Sequence, residues 1–303
     1  MGVSFRISLP ATSANLGAAF DSAAVAFNLH LEIEAETAQE FSISATGRNA
    51  DLCGVVENNL ILETYKQVLR EAGHPITPVA LRMKNGIPLG MGCGSSAAGR
   101  LAAIAMANHF GNLGWGSERI LAEGCALEGH PDNAAACWLG GLVVAAGTGR
   151  TVHAAYVAPP VDWLALVVLP ADPLATSKAR AVLPESYSRG DAVANIQSAS
   201  LLGLAFAQSR ADLLAAAMQD RIHQPYRMEM CPLLSFLLPL SGQAGILGTA
   251  LSGAGPSVLA IVDRREVERA TSRIHEALAG GPDVEILRLE LARSGARITD
   301  GNA

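Results

Sequence analysis

Apolar and polar positions alternate over Val3 to Leu9, Leu29 to Ala35 and Phe41 to Ala45, the spacing of half-buried strands. Helical spacing takes over from Asn59 to about Glu71, where Gly73 and Pro75 end it, and Val79 to Lys84 returns to a short strand. From Ser95 to Phe110 small and apolar residues recur at helical spacing, and Ser117 is expected to cap a further helix running to about Leu127. The pattern turns to strand over Leu142 to Ala146, and Val161 to Leu169 is a nearly continuous apolar strand of the buried kind. Beyond it the spacing predicts helices near Ala192 to Ser209, Arg210 to Met218 and Arg265 to Ala279. Short strands are expected near Gly245 to Ser252, Ser257 to Val262 and Val284 to Glu290. Such mixing indicates an α+β fold rather than strict βαβ alternation. There is no internal repeat, and only the last few residues read as disordered.

A chain of 303 residues exceeds one compact domain, so two domains sharing a cleft are expected, with Ala154 to Val161, containing Pro159 and Pro160, as their junction. Half of the residues are hydrophobic but only 5% aromatic, which predicts a core of closely approaching backbones rather than large rings. The net charge of −6 and the absence of any Lys or Arg run argue against a nucleic-acid partner, whose affinity rests on phosphate neutralisation. Phosphate ligands remain compatible, held by backbone N–H groups and Mg²⁺. No signal peptide is expected, because Met1 to Pro10 lacks a basic region followed by an apolar stretch. The longest apolar run, Ala134 to Gly147, falls short of the ~20 residues of a membrane span and is broken by Gly140 and Gly141, so no membrane role is expected. Cys53, Cys93, Cys125, Cys137 and Cys231 are widely spaced and read as reduced, mostly buried thiols of a cytoplasmic protein. The histidines are dispersed and suggest no His/Cys metal cluster.

Three segments carry chemistry. In Pro88-Leu89-Gly90-Met91-Gly92-Cys93-Gly94-Ser95-Ser96-Ala97-Ala98, alternating glycines lead into a helix start, a junction suited to an anion; an ordinary Gly-rich turn with Ser95 as N-cap is the alternative. No Lys follows Gly94, so this is not a Walker A loop, and triphosphate charge would call for a metal ion with Ser95 or Ser96 as hydroxyl ligand. Glu128-Gly129-His130-Pro131-Asp132-Asn133 sets acids, an imidazole and an amide beside an apolar run, with Glu123 on the preceding helix. Mg²⁺ ligation and orientation or deprotonation of a hydroxyl are roles open to these residues, as are a helix cap at Asp132 and a satisfied loop histidine at His130. Leu251-Ser252-Gly253-Ala254-Gly255-Pro256-Ser257 joins two strands through small residues, either as a tight hairpin or as a place where another backbone or a ligand comes close.

These segments, with Pro10-Ala11-Thr12-Ser13-Ala14-Asn15-Leu16-Gly17, Thr176 to Pro184 and Arg221 to Arg227, resemble the GHMP kinase pattern, specifically its homoserine kinase branch, over most of the chain. The resemblance implies a two-domain GHMP kinase fold. A domain with a left-handed βαβ crossover would occupy residues 1–157 and a ferredoxin-like domain residues 158–303, with the active site between them. It implies ATP- and Mg²⁺-dependent phosphorylation of L-homoserine to O-phospho-L-homoserine in threonine biosynthesis. On the nucleotide side it points to Asn59, with Leu60, and to Pro88, Gly90, Met91, Gly92, Cys93, Gly94, Ser95, Ser96 and Ala97. For the metal it points to Ser96 and Glu123, with Glu128 as rival. On the substrate side it points to Asn15, Asp21, His130, Asp132, Asn133, Arg180 and Arg227, of which Asp132, Asn15 and Arg180 would be catalytic; the arginines suit a carboxylate. Whether Asp132 removes the hydroxyl proton or only orients the substrate is left open, as is a homodimer.

The sequence departs from the family at Ala18-Ala19, where Gly-Pro-Gly would include a glycine at Ala19, and the loss of a positive-φ position there is expected to shift Asp21. Cys93 stands for the usual Leu, and Ala134-Ala135-Ala136 for Val-Ala-Pro. A GHMP kinase for another small alcohol, or a non-catalytic ligand sensor on the same fold, are the competing readings.

Overall fold

The structure, a computed structural model, describes residues 4–300. The expected strand start at Val3 and the expected disorder at the C-terminus fall on residues 1–3 and 301–303, outside the described residues.

The chain begins with strands β1 (Ser4–Asn15), β2 (Ala19–Thr37) and β3 (Ser42–Gly47), helices α1 (Ala50–Cys53) and α2 (Leu60–Glu71), and strand β4 (Val79–Asn85). Helices α3 (Ser95–Phe110), α4 (Ser117–Glu128) and α5 (Asp132–Leu139) follow, then the hairpin of β5 (Leu142–Thr148) and β6 (Thr151–Val157). The second half runs through β7 (Trp163–Pro170), α6 (Thr176–Ala181), α7 (Arg189–Ala207), α8 (Ala211–Ala217), α9 (Gln224–Arg227) and α10 (Leu233–Leu237). It closes with β8 (Ile246–Leu251), β9 (Val258–Asp263), α11 (Val267–Ala277), β10 (Val284–Glu290) and β11 (Arg297–Asp300).

The first sheet has the order β11-β1-β2-β4-β3, with the β5–β6 hairpin attached to β2. Only β3 and β4 pair in parallel, and α1 and α2 form the crossover between them. Asn59 starts α2 by accepting the N–H groups of Ile61 and Leu62 with its side-chain oxygen, and Gly73 stops it at φ +72°. Helix α3 lies at the centre, with Ala97, Ala98, Ala102, Ala103 and Ala107 fully buried. A Cβ on Gly124 of α4 would stand 2.6 Å from Leu101 Cδ2 of α3, so the helices approach as the small-residue composition predicted.

The second sheet has the order β10-β7-β9-β8 and is antiparallel throughout. Helices α6 to α10 lie between β7 and β8 in the chain and α11 between β9 and β10, which is the βαββαβ sequence of a ferredoxin-like unit. Together the halves form the two-domain α+β fold. β7 is buried along seven of its eight residues, as its continuous apolar run requires.

Three expectations need correction. The stretch Ala154 to Val161 overlaps β6, so the connection is 158–162; β6 is an exposed hairpin strand whose weak apolar signal hid it. Residues 297–300 return to pair with β1, and Leu291 bridges to Phe27, a return that a division at residue 157 does not include. Ser117 does not cap α4: Gly116 is the N-cap, and Ser117 Oγ instead accepts a 2.7 Å hydrogen bond from Trp138 Nε1.

Candidate active site

The glycine-rich loop takes its shape from backbone-to-backbone contact. Gly90, Gly92 and Gly94 have φ of +69°, +73° and +73°, and no side chain caps the first turn of α3. A Cβ on Gly92 would lie 2.1 Å from the Ser252 carbonyl oxygen, and one on Gly94 2.0 Å from Thr12 Oγ1. Ser252 Oγ contacts the Gly92 carbonyl at 2.7 Å and Ser13 Oγ at 2.8 Å. Gly253 N–H donates to the Ala14 carbonyl, and Asn15 Nδ2 donates to the Gly253 carbonyl at 2.9 Å. Three segments far apart in sequence, Thr12 to Asn15, Gly92 to Gly94 and Ser252 to Gly253, therefore lock into one wall. The 251–257 segment serves close backbone approach.

This wall faces a cavity of about 290 Å³ between the two halves. From α5 comes Asp132, 1% exposed, whose Oδ1 accepts the Asn133 N–H at 2.6 Å and meets His130 Nδ1 at 2.6 Å. Burial disfavours the His130 imidazolium, but the hydrogen bond and charge of Asp132, with Asp21 beyond, outweigh it and hold the His130 pKa above the ordinary 6.5. Asn133 Oδ1 accepts a 2.6 Å bond from Thr12 Oγ1. Oxygen and nitrogen atoms of Asp21, His130 and Asp132 fall within 4.8 Å of one another.

Arg180 of α6 forms a two-pronged pair with Asp21, at 3.0 Å and 2.6 Å. The Asp21 N–H donates to Asn15 Oδ1 at 3.0 Å. Asn15, Leu16 and Asp21 all have positive φ, whereas Ala19 does not. The expected displacement of Asp21 through Ala19 is thus corrected: Ala19 opens β2 in extended backbone, and the left-handed turn is carried by Asn15, Leu16, Gly17 and Asp21. Arg227, 1% exposed, lines the same cavity and donates from Nε to the Ala179 carbonyl at 2.9 Å. Burial, then the charge of Arg180, lowers its pKa. The Phe20 ring lies 5.6 Å from Arg180 Cζ and 5.5 Å from Arg227 Cζ, a cation–π support for both.

At the other end Ser96 Oγ donates to Glu128 Oε1 at 2.7 Å. The carboxylate brought to Ser96 is Glu128, not Glu123. Glu123 is buried away from the cavity, held by Arg150 Nε at 2.8 Å and Arg119 Nη2 at 2.6 Å. Five residues along α4 rotate a side chain by roughly 140°, so the two acids leave opposite faces. Arg100, one turn after Ser96, meets Glu128 Oε1 through Nε at 3.0 Å and donates to the Leu127 carbonyl.

A second cavity of about 300 Å³ adjoins the first at Ser95 and Ser96 and is mainly apolar, with Leu52, Val55, Ile87 and Leu89 in its wall. Asn59 lines it while spending its amide on structure, Nδ2 donating to the Val55 carbonyl at 3.0 Å. Cys93, Gly94, Ser95 and Ser96 line the first cavity, whereas Pro88, Met91 and Ala97 line neither. Sequence reasoning missed Arg100, Thr176 and Phe20 of the first cavity. The four-residue spacing of Arg100 from Ser96 on a predicted helix was a usable signal for the first of them.

The family description "GHMP kinases N terminal domain" matches residues 59–141 and "GHMP kinases C terminal" residues 204–280. The chain is 43% identical over 263 residues to the homoserine kinase of Solibacter usitatus, covering 86% of each. It is 36% identical over 274 residues to that of Deinococcus radiodurans, covering 90% of this chain and 88% of the relative. Among solved structures, homoserine kinase from Cytophaga hutchinsonii shares the fold with a TM-score of 0.82 at 24% identity, covering 99% of this chain and 98% of the other. A putative homoserine kinase from Listeria monocytogenes gives 0.74 at 29% identity, covering 97% and 99%. With relatives of this identity matched nearly end to end and both family halves present, the chain belongs to the GHMP kinase family, on its homoserine kinase branch.

Proposed function

We propose that the protein is an ATP-dependent kinase that phosphorylates the hydroxyl of L-homoserine, giving O-phospho-L-homoserine and ADP in the cytoplasmic route to threonine. Its relatives' names support the reaction, and one observation carries the substrate class. Arg227 is a buried guanidinium on the cavity wall with no carboxylate within 4.0 Å among the described residues. An unpaired buried cation is costly unless an anion joins it, and the carboxylate of an amino-acid substrate is such an anion. Arg180, already shared with Asp21, sits beside it to complete a two-arginine clamp.

The nucleotide would span both cavities, its base in the apolar one and its phosphates at the start of α3, where the N–H groups and helix dipole favour negative charge. Ser96 and Glu128 supply the hard oxygen donors that Mg²⁺ takes alongside phosphates, so the residues present fit that ion. Bound there, Mg²⁺ would neutralise phosphate charge that no Walker-type lysine covers. Thr12 holds Asn133, and His130 and the Asn133 N–H both engage Oδ1 of Asp132, leaving Oδ2 to face the substrate hydroxyl. As the hydroxyl oxygen bonds to the γ-phosphorus and the bond to the leaving ADP oxygen breaks, Asp132 takes the hydroxyl proton. The five free, buried cysteines suit a reducing compartment.

The test is ADP release measured with L-homoserine, L-serine, L-threonine, mevalonate and shikimate as acceptors. Strong preference for L-homoserine is expected. ATP turnover with another acceptor and none with L-homoserine would refute the substrate while keeping the kinase.

A further inference from the structure

His223 is completely buried and lines neither cavity described above, yet its ring is fixed at both nitrogens. Nε2 lies 2.9 Å from the Gly17 carbonyl oxygen, and Nδ1 lies 3.1 Å from Arg227 Nη1. A carbonyl offers only lone pairs, so Nε2 carries the proton; a guanidinium offers only N–H groups, so Nδ1 is bare and accepts. The ring is therefore neutral in its Nε2–H form, in keeping with the lowering of its pKa by burial. The charged groups around it agree. Asp220 Oδ2 is 3.7 Å from Nε2, farther than the Gly17 oxygen, and already accepts the N–H groups of His223 and Gln224 at 3.0 and 2.7 Å, while Oδ1 accepts that of Ile222 at 2.9 Å. Phe20 stacks on the imidazole with centroids 5.2 Å apart. The remaining bonds of Arg227 are Nε to the Ala179 carbonyl and a longer 3.4 Å contact from Nη1 to the Gly253 carbonyl, and none uses Nη2.

We propose that His223 is a positioning residue for substrate binding: as a neutral acceptor it fixes the plane of the Arg227 guanidinium so that its unused edge receives the acceptor's carboxylate. The proposal rests on the amino-acid substrate reading above. Removing the acceptor leaves Arg227 held through Nε, the long Nη1 contact to Gly253 and the face of Phe20, with no hydrogen bond of ordinary length fixing the Nη1 edge. The carboxylate then meets a disordered fork, while the nucleotide end is untouched. A hydrogen bond to a charged group of this kind corresponds to about a tenfold to hundredfold change in affinity.

The experiment compares H223L, which keeps bulk without an acceptor, with H223N, whose amide oxygen stands in for Nδ1. H223L should raise the KM for L-homoserine about tenfold or more with the KM for ATP within about twofold, and H223N should restore most of that loss. An H223L enzyme with wild-type homoserine KM, or equal losses for both substrates, would overturn the proposal. In parallel, long-range proton–nitrogen correlation on wild-type protein labelled with nitrogen-15 histidine reads the tautomer without any substrate. A bare Nδ1 and protonated Nε2 at His223 are expected, and a protonated Nδ1 would overturn the proposal even if H223L failed to fold. Inactivity of the wild type toward L-homoserine would refute the substrate reading, and the tautomer alone would then decide whether His223 orients Arg227.

Discussion

Replacing Gly92 with alanine tests whether the phosphate loop is shaped by contact with the 252–255 segment. Two costs arise. The first is backbone strain at φ +73°, about 1–2 kcal/mol for a residue with a Cβ, reduced somewhat because alanine also restricts the unfolded chain. The second is collision: the new Cβ would be 2.1 Å from the Ser252 oxygen and 3.0 Å from the Gly255 oxygen. That carbonyl has little room to retreat, because the Ser252 hydroxyl is bonded to Gly92 and Ser13 and the Ser252 N–H to the Ser257 carbonyl. Forced overpacking of this kind costs about 1–3 kcal/mol. Gly73 supplies the control, since it has φ +72° and nothing within 4 Å of the position a Cβ would take. G73A should therefore lose ~1 kcal/mol and G92A ~2–4 kcal/mol, read from urea midpoints with a common m-value. G92A should also raise the KM for ATP, whereas G73A should not. Losses for the two variants equal within about 0.5 kcal/mol would refute the argument that contact, rather than φ alone, requires glycine at position 92.

Three further outcomes follow from the site. E128Q should raise the Mg²⁺ concentration for half-maximal activity by about tenfold or more, while E123Q should lower the melting temperature by a few degrees and leave kcat unchanged; the reverse pattern would reinstate Glu123 as the metal partner. D132N should lower kcat by about 10²–10⁴-fold with a much smaller change in homoserine KM, and a kcat that barely moves would show that Asp132 is not the proton acceptor. The folded-state pKa of His130 is raised above its unfolded value near 6.5, so its contribution to stability is complete below that value and lost as pH rises through the folded pKa. The stability gap between wild type and H130Q should accordingly be larger at about pH 5.5 than at about pH 8.5 in urea titrations; a gap that grows with pH would mean that burial, not Asp132, dominates at His130.

The parts of the fold legible in the sequence were those whose local signals agreed with their tertiary setting. Helix α3 starts at Ser95 and ends at Phe110 as the spacing predicted, because the same glycines that shape the loop also stop the preceding chain from being helical. Strand β10 likewise matched Val284 to Glu290. β6 and β11 were not legible, since both are short strands at the margins of the first sheet and the pairing of β11 with β1 joins residues nearly the whole chain apart. In the site, motif position put Asp132, Asn133, Arg180 and Arg227 on a common list, and the fold brings them round one cavity. Which of Glu123 and Glu128 meets Ser96 was not legible in the sequence, because it depends on which face of α4 meets α3, a packing fact. Ala19 misled for a related reason: the turn it borders distributes its left-handed residues over Asn15, Leu16, Gly17 and Asp21, and the glycine pattern alone does not say which position carries the strain.

The charges around the cleft explain why a chain of net charge −6 can take anionic ligands. Arg180 is balanced by Asp21, Arg100 by Glu128 and His130 by Asp132, so three basic groups each have an acid of their own. Arg227 has none, and it is the most completely buried of the four. A net charge of −6 does not draw anions to the protein as a whole, so a local, desolvated contact inside the cavity is where an anionic ligand would gain affinity. The same imbalance links binding to stability: an anion that relieves the uncompensated guanidinium binds the folded state alone and stabilises it by mass action. On the amino-acid substrate reading, an acceptor carboxylate at Arg227 would therefore supply affinity and stabilise the fold through the same contact.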